Sequence, residues 1–204
     1  MKLVAVSQRV DYITEYDEFR DALDQRLIDF IVACNGHPIP VPNTLIASGM
    51  LDRWLDCVLP DAVVLSGGND IGKSLDRDNT ERRLLDYAAG RALPVLGICR
   101  GMQMMGVWAG ESLKSVVDHV RSAHLIAGLI NQEVNSYHEF SLLGVPEGFV
   151  ELARSLDGEL EAIRHNDLPW EGWMWHPERG TPSASWQVLR YQSLLNSTPA
   201  KQVS

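Results

Sequence analysis

The chain predicts an α/β fold with a doubly wound, mostly parallel sheet, and three observations point to it. Short apolar runs suited to buried strands recur at Leu3 to Val6, Asp61 to Leu65 and Pro94 to Ile98. Between them lie segments whose apolar residues repeat at three- and four-residue steps, the period of an amphipathic helix. Strand and helix therefore alternate, as in right-handed βαβ units whose helices cover both faces of a parallel sheet. At 204 residues the chain can bury one core unaided, and residues 1–204 are read as a single domain.

The elements follow in order. Leu3 to Val6 is the first strand, and Asp17 to Ala33 then places Phe19, Leu23, Leu27, Phe30 and Ile31 on one helical face. Gly36 lies where that helix stops. Pro38-Ile39-Pro40-Val41-Pro42 is extended, but proline has no N–H to donate, so it is a strand only in part or at a sheet edge. Leu51 to Val58 predicts a short helix, and Asp61 to Leu65 a buried strand ending in Ser66-Gly67-Gly68. Thr80 to Arg91 predicts a helix turning Leu84, Leu85 and Ala88 inward, and Pro94 to Ile98 is the next strand. Beyond about residue 112 the pattern loosens into strand-like pieces at Ile130 to Asn135, Phe149 to Ala153, Leu160 to Arg164 and Gly172 to Trp175. They read as a small peripheral antiparallel β element followed by a returning strand. Ser183 to Leu195 predicts a last helix with Trp186, Leu189 and Leu194 on its apolar side, and Asn196 to Ser204 is polar enough to fray.

Composition narrows the function. Eighteen Lys and Arg against 27 Asp and Glu give a formal charge of −9, the wrong sign for tracking nucleic acid or an anionic membrane. No apolar run reaches a membrane span of about 18 residues, and Ser7, Gln8 and Arg9 break the opening run before it could act as a signal sequence. A cytoplasmic location is expected. Cys34, Cys57 and Cys99 are odd in number and form no C-x-x-C pair, so neither a disulfide framework nor a zinc ribbon is indicated.

The most informative stretch is Pro94-Val-Leu-Gly97-Ile-Cys99-Arg-Gly101-Met-Gln-Met-Met, where a buried strand passes through Gly-x-Cys-x-Gly into a helical Met102 to Trp108. It has the form of a nucleophile elbow with Cys in place of Ser. The turn strains its central residue, and side chains at the flanking positions would collide with the neighbouring strand and helix. The thiol is thereby pushed outward beside the first N–H groups of the new helix, whose partial positive charge favours thiolate. Cys34 and Cys57 sit in helical patterns without such flanks and read as packing residues.

A thiol nucleophile needs a base and a group to orient it. Among the six histidines, His176 follows the strand end Trp173-Met-Trp175, and Glu178 lies two residues on. On an extended segment that spacing puts imidazole and carboxylate on one side, with Pro177 fixing the backbone between them. His37 and His165 lie in loop-like surroundings and read as surface groups.

Gly97-Ile-Cys99-Arg-Gly-Met-Gln103 together with His176-Pro-Glu178 resembles the class I glutamine amidotransferase superfamily, and within it the γ-glutamyl-γ-aminobutyrate hydrolase (peptidase C26) family. Ser66-Gly67-Gly68-Asn69-Asp70, Asp76-Arg77-Asp78-x-x-Glu81 and Val134-Asn135-Ser136-Tyr137-His138 extend the similarity over nearly the whole chain. The opening Ser7-Gln-Arg9-x-Asp11-Tyr12 and the short Gly-Gly-Asn-Asp-Ile segment are similar to γ-glutamyl-CDP-amidate hydrolases. The resemblance implies a flavodoxin-like sheet, a Cys99, His176, Glu178 triad and a γ-glutamyl thioester on Cys99. It implies an oxyanion hole from the N–H groups of Gly68 and Arg100, with Gln103, Asn135, Ser136 and His138 holding the glutamyl portion. It implies a small-molecule γ-glutamyl substrate and neither cofactor nor metal, and leaves a homodimer open. A glutaminase subunit passing ammonia to a synthase partner would use the same triad. The sequence departs from the family at Glu139-Phe140, where His-Gln is usual, and at Lys114 to Val117, where a Gln-Asp pair is usual.

Other readings compete. Gly67-Gly-Asn-Asp-Ile-Gly72-Lys73-Ser74 satisfies the phosphate-loop pattern after a strand, but with helix expected only from Thr80 no helix N-terminus would face a phosphate. His119, His124 and His138 with Glu139 offer metal-ligand types, yet a five-residue histidine step suits neither one helix face nor a standard zinc spacing. Trp170, Trp173 and Trp175 are expected to pack in the core. Arg9 and Tyr12 lie just past the C-terminal end of the first strand, the rim where open α/β sheets bind ligands, and are candidates to touch the leaving group.

Overall fold

A computed structural model of the protein describes residues 1–180 and 185–197. The chain runs β1 (Lys2–Ser7), β2 (Arg9–Ile13), a 3-10 turn, β3 (Glu18–Ala22), α1 (Gln25–Ala33), β4 (Gly36–Val41), α2 (Thr44–Ala47), α3 (Leu51–Val58), β5 (Ala62–Leu65), α4 (Leu75–Arg91), β6 (Val95–Ile98) and α5 (Arg100–Trp108). It continues through β7 (Leu113–Ser115), β8 (Val120–Gly128), β9 (Gln132–Tyr137), β10 (Phe140–Leu142), β11 (Phe149–Ser155), β12 (Leu160–His165), β13 (Trp170–Trp173), a 3-10 turn at Pro177–Arg179 and α6 (Ser185–Leu195). Nine strands form one sheet in the order β4-β1-β5-β6-β13-β12-β11-β8-β9. The first five are parallel and the rest antiparallel.

The sheet is covered on both faces because its strands are apolar on both. Val4, Val6, Val64, Leu96 and Ile98 face α1 and α6, where Phe30, Ile31 and Tyr191 meet them. Ala5, Val63, Leu65 and Val95 alternate onto the other face, against Leu84 and Leu85 of α4 and Met102 and Met105 of α5. The proline-rich β4 pairs only with β1 and forms the sheet edge, where its missing N–H groups leave no ladder bond unmade. Trp170, Trp173 and Trp175 are fully buried, so they pack as expected.

Several expectations are corrected. The helix expected from Asp17 begins at Gln25, because the Asp24 carboxylate accepts the Arg26 N–H at 3.0 Å and caps it there. Residues Arg9–Ala22 instead form the β2–β3 hairpin, with Tyr12 and Phe19 in contact at 4.8 Å and both exposed. Helix α4 begins at Leu75 rather than Thr80. Its first turns bury Arg77, Asp78, Thr80 and Glu81, an inward polar face that apolar periodicity cannot reveal. The expected antiparallel element is present and continues the main sheet at its far edge; its strand β8 was not anticipated, and most of its residues are exposed. In α6, Tyr191, Leu194 and Leu195 are buried while Leu189 is exposed, and the expected start at Ser183 lies outside the described residues.

Candidate active site

Strand β6 ends at Ile98 and α5 starts at Arg100, leaving Cys99 alone in the turn at φ 52°, ψ −107°, where a non-glycine residue is strained. The turn survives because its neighbours require it. A side chain at Gly101 would run into the Leu65 carbonyl, and one at Gly97 would lie 2.7 Å from the Gly101 carbonyl carbon. The Cys99 N–H donates to the Trp173 carbonyl at 2.7 Å, tying the elbow to β13. The sulfur thus stands at the N-terminus of α5.

His176 follows β13 and meets Cys99 from the neighbouring strand, hydrogen-bonded to its side chain. Its Nδ1 lies 2.6 Å from Glu178 Oε1. The intervening Pro177 opens a 3-10 turn, so the turn, not an extended segment, brings carboxylate and imidazole together. Burial alone would push the imidazole pKa down; the hydrogen bonds to Cys99 and Glu178 and their charges outweigh it, lifting the group from 6.5 to about 9. Asn135 holds the same residue from behind: its Nδ2 donates to the His176 carbonyl at 2.8 Å and its Oδ1 accepts the His176 N–H at 2.9 Å. A Cβ at Gly67 would stand 2.6 Å from His176 Cε1, so glycine is needed there for the ring to fit.

Opposite the elbow, Ser66-Gly67-Gly68 leaves β5, with Gly68 at φ +125°. This turn rests on a buried charge network built from Arg77, Asp78 and Glu81 of the Asp76-to-Glu81 segment together with Arg100. Arg77 Nη2 donates to the carbonyls of Ser66 at 2.7 Å and Gly67 at 3.0 Å, and its Nε pairs with Glu81 at 3.0 Å. Glu81 also accepts from Ser7 Oγ and pairs with Arg100, which pairs in turn with Asp78. Burial pushes the guanidinium pKa of Arg77 down to about 10 and that of Arg100 to about 9; only the paired carboxylates make burying two arginines tolerable.

A cavity of about 200 Å³ opens over Cys99, and Gly68, Arg100, Gln103, His138 and His176 line it, with Tyr137, Glu139 and Arg179. Gln103 donates to the Phe140 carbonyl at 2.9 Å. Asn135 and Ser136 are turned elsewhere, Asn135 toward the His176 backbone and the buried Ser136 Oγ toward the His119 carbonyl at 2.6 Å. Arg9 lines an adjoining depression with Gly67, Gly68 and Glu178, while Tyr12 lies on a separate cleft of about 1100 Å³. Arg179 was not among the residues expected at the site, although it directly follows His-Pro-Glu; its guanidinium lies 4.6 Å above the Tyr137 ring.

The remaining candidates sort by environment. Cys34 is buried, which pushes its thiol up to about 12, whereas Cys57 is exposed on α3 rather than packed. The helix at Lys73-Ser74 starts at Leu75, so the geometric objection to a phosphate loop fails. Chemistry replaces it: the Asp78 carboxylate already accepts the Gly72 N–H at 2.7 Å, and Asp76 adds a second negative charge to that helix end. His119, His124 and His138 do converge, contrary to expectation, but around Glu161 rather than Glu139. Arg121 sits at φ 55° where the β8–β9 register shifts between Val120 and Ser122, and such a bulge restores to one face two residues an odd number apart.

Comparison with known proteins identifies the family. The family model for glutamine amidotransferase class-I matches residues 12–191. A γ-glutamyl-CDP-amidate hydrolase of Campylobacter jejuni is 31% identical over 92% of this chain and 95% of its own. A glutamine-hydrolysing GMP synthase subunit of Methanosarcina barkeri is 34% identical over 68% of this chain and 72% of its own. Among solved structures, a glutamine amidotransferase of Thermotoga maritima superposes with a TM-score of 0.64 at 18% identity, covering 95% of this chain and 84% of that one. The protein belongs to the class-I glutamine amidotransferases, and it is an enzyme of their amide-hydrolysing type. Among the described residues no helix is long and apolar enough to cross a membrane.

Proposed function

We propose that the protein is a cysteine-dependent amidohydrolase that cleaves the γ-glutamyl amide bond of a small conjugate, with γ-glutamyl-CDP-amidate as the leading candidate. The observation that carries this reading is the hydrogen-bonded line Cys99–His176–Glu178 on a cavity at a strand-to-helix elbow. The nucleotide-linked substrate is supported by the Campylobacter relative, whose similarity runs the length of both chains.

In this mechanism the Cys99 thiolate attacks the γ-carbonyl carbon, and the N–H groups of Gly68 and Arg100 stabilise the oxyanion. Imidazolium at His176, held protonated by Glu178, gives its proton to the departing nitrogen as the C–N bond breaks, leaving a γ-glutamyl thioester. Neutral His176 then takes a proton from water, whose oxygen adds to the thioester; thiolate leaves, and glutamate is released. Gln103 and Arg179 at the cavity supply an amide and a cation for the glutamyl group. For a phosphorylated leaving group, the depression beside the oxyanion turn, where Arg9 and Arg179 balance Asp24 and Glu178, is less acidic than the larger cleft, where Asp11, Asp21 and Asp76 outnumber Lys73.

The archaeal GMP synthase relatives favour a second reading, a glutaminase subunit that delivers ammonia to a synthase partner. Glutamate release measured on glutamine, γ-glutamyl amines and a γ-glutamyl nucleotide amidate separates the two. A kcat/KM for the amidate at least about 10²-fold above that for glutamine supports the hydrolase. Preference for glutamine overturns it in favour of the synthase-linked glutaminase.

A further inference from the structure

Away from the thiol, four side chains from separate segments meet in the antiparallel half of the molecule. His119 precedes β8, His124 is on β8, His138 lies between β9 and β10, and Glu161 is on β12. Glu161 is fully buried; its Oε1 is approached at 3.3 Å by His124 Nε2 and His138 Nε2, outside good hydrogen-bond geometry, and its Oε2 has no partner among the described residues. A buried carboxylate in that condition is expensive.

The outer hydrogen bonds fix which ring nitrogens face inward. His119 Nε2 lies 2.8 Å from Asp157 Oδ2, so that nitrogen carries the proton and Nδ1 presents a lone pair. His138 Nδ1 donates to the Phe140 carbonyl at 3.0 Å, so its Nε2 does the same. These two lone pairs face each other at 3.1 Å, and Glu161 Oε1 lies 3.5 Å from the first and 3.3 Å from the second. His124 Nε2 is 3.3 Å from the same oxygen. Electron-rich atoms converge in this way only around positive charge, supplied by a proton on one ring or by a bound cation. A tetrahedral zinc with ligands at about 2.0–2.2 Å has ligand-to-ligand edges of roughly 3.3–3.5 Å, and Glu161 Oε1 stands at such distances from His119 and His124. A ligand histidine held from behind by a carboxylate is also the usual outer arrangement of zinc sites.

We propose that His119, His124 and Glu161, whose ligand atoms lie within 4.8 Å of one another, bind a zinc ion. Imidazole nitrogens and a carboxylate oxygen suit Zn²⁺. The ion ties β8 to β12 beside His138, which lies against Glu161 and lines the cavity, so its role is to support that wall rather than to act on substrate. The proposal does not rest on the hydrolase reading.

The test is metal content of untagged protein after incubation with zinc and gel filtration, compared with Cys99→Ala, His124→Ala and Glu161→Gln. About one zinc per chain is expected in wild type and Cys99→Ala, with most of it lost in the other two. Cobalt reconstitution should give the visible bands of tetrahedral Co²⁺, and a chelator should lower the Tm of wild type. If either variant fails to fold, the wild-type stoichiometry and cobalt spectrum still decide. Zinc below about a tenth per chain with no cobalt bands overturns the proposal and leaves a cluster held by protons. Zinc that disappears in Cys99→Ala, or stays in Glu161→Gln and His124→Ala, also overturns it, because the ion is then elsewhere.

Discussion

At the residue scale, His176 carries the electrostatic character of the site. Glu178 raises its pKa and fixes its orientation through one 2.6 Å contact. Glu178→Gln is therefore expected to lower kcat by roughly 10²- to 10⁴-fold. The alkaline limb of the pH–rate profile, set in wild type by the imidazolium near pH 9, should move to lower pH, which a loss of packing alone would not produce. The candidate Cys, His and Glu were legible as residues because each sits in a short motif. The role of Asn135 was not: an asparagine looks the same in sequence whether it binds substrate or, as on β9 here, the backbone of His176. Arg77 was also hidden, because a buried arginine is indistinguishable in sequence from a solvated one until its partners Glu81 and Ser66 are in place.

Among the elements, two glycine turns and α4 assemble the site. Gly67→Ala places a methyl 2.6 Å from His176 Cε1, so activity should be lost while the far-ultraviolet spectrum and Tm stay near wild type. Gly101→Ala meets the Leu65 backbone instead and should destabilise the protein by about 1–3 kcal/mol, read from the urea midpoint. Glu81→Gln leaves Arg77 and Arg100 buried with less compensating charge, and a loss of about 3–5 kcal/mol is expected in the same measurement. Apolar strands and the elbow glycines were readable because burial and steric exclusion write directly into residue type. The β2–β3 hairpin and the early start of α4 were not, since the first competes with a helical spacing of apolar residues and the second buries paired charges.

For the whole molecule, folding and the site share a pH dependence. His176 binds its proton more tightly folded than unfolded, with about 9 against 6.5, so its contribution to stability is complete below pH 6.5 and lost as pH rises toward 9. Cys34, held neutral to about 12 against 9, extends the decline at higher pH. Urea midpoints across this range should fall, and His176→Gln should flatten the segment between 6.5 and 9. The parallel half of the sheet followed from strand–helix alternation. Strands β9, β11 and β12 of its antiparallel extension were legible too, whereas the histidine–glutamate cluster depended on a bulge at Arg121 that no periodicity foretells.

The central claim is that Cys99 is the attacking group, and a glutamine analogue with an electrophilic diazoketone at the γ position tests it without knowledge of the leaving group. Peptide mapping after stoichiometric labelling should find the adduct on Cys99, with Cys34 and the exposed Cys57 unmodified and glutamate-releasing activity lost in proportion. Inactivation with Cys99 untouched, or labelling confined to Cys57, would contradict the account.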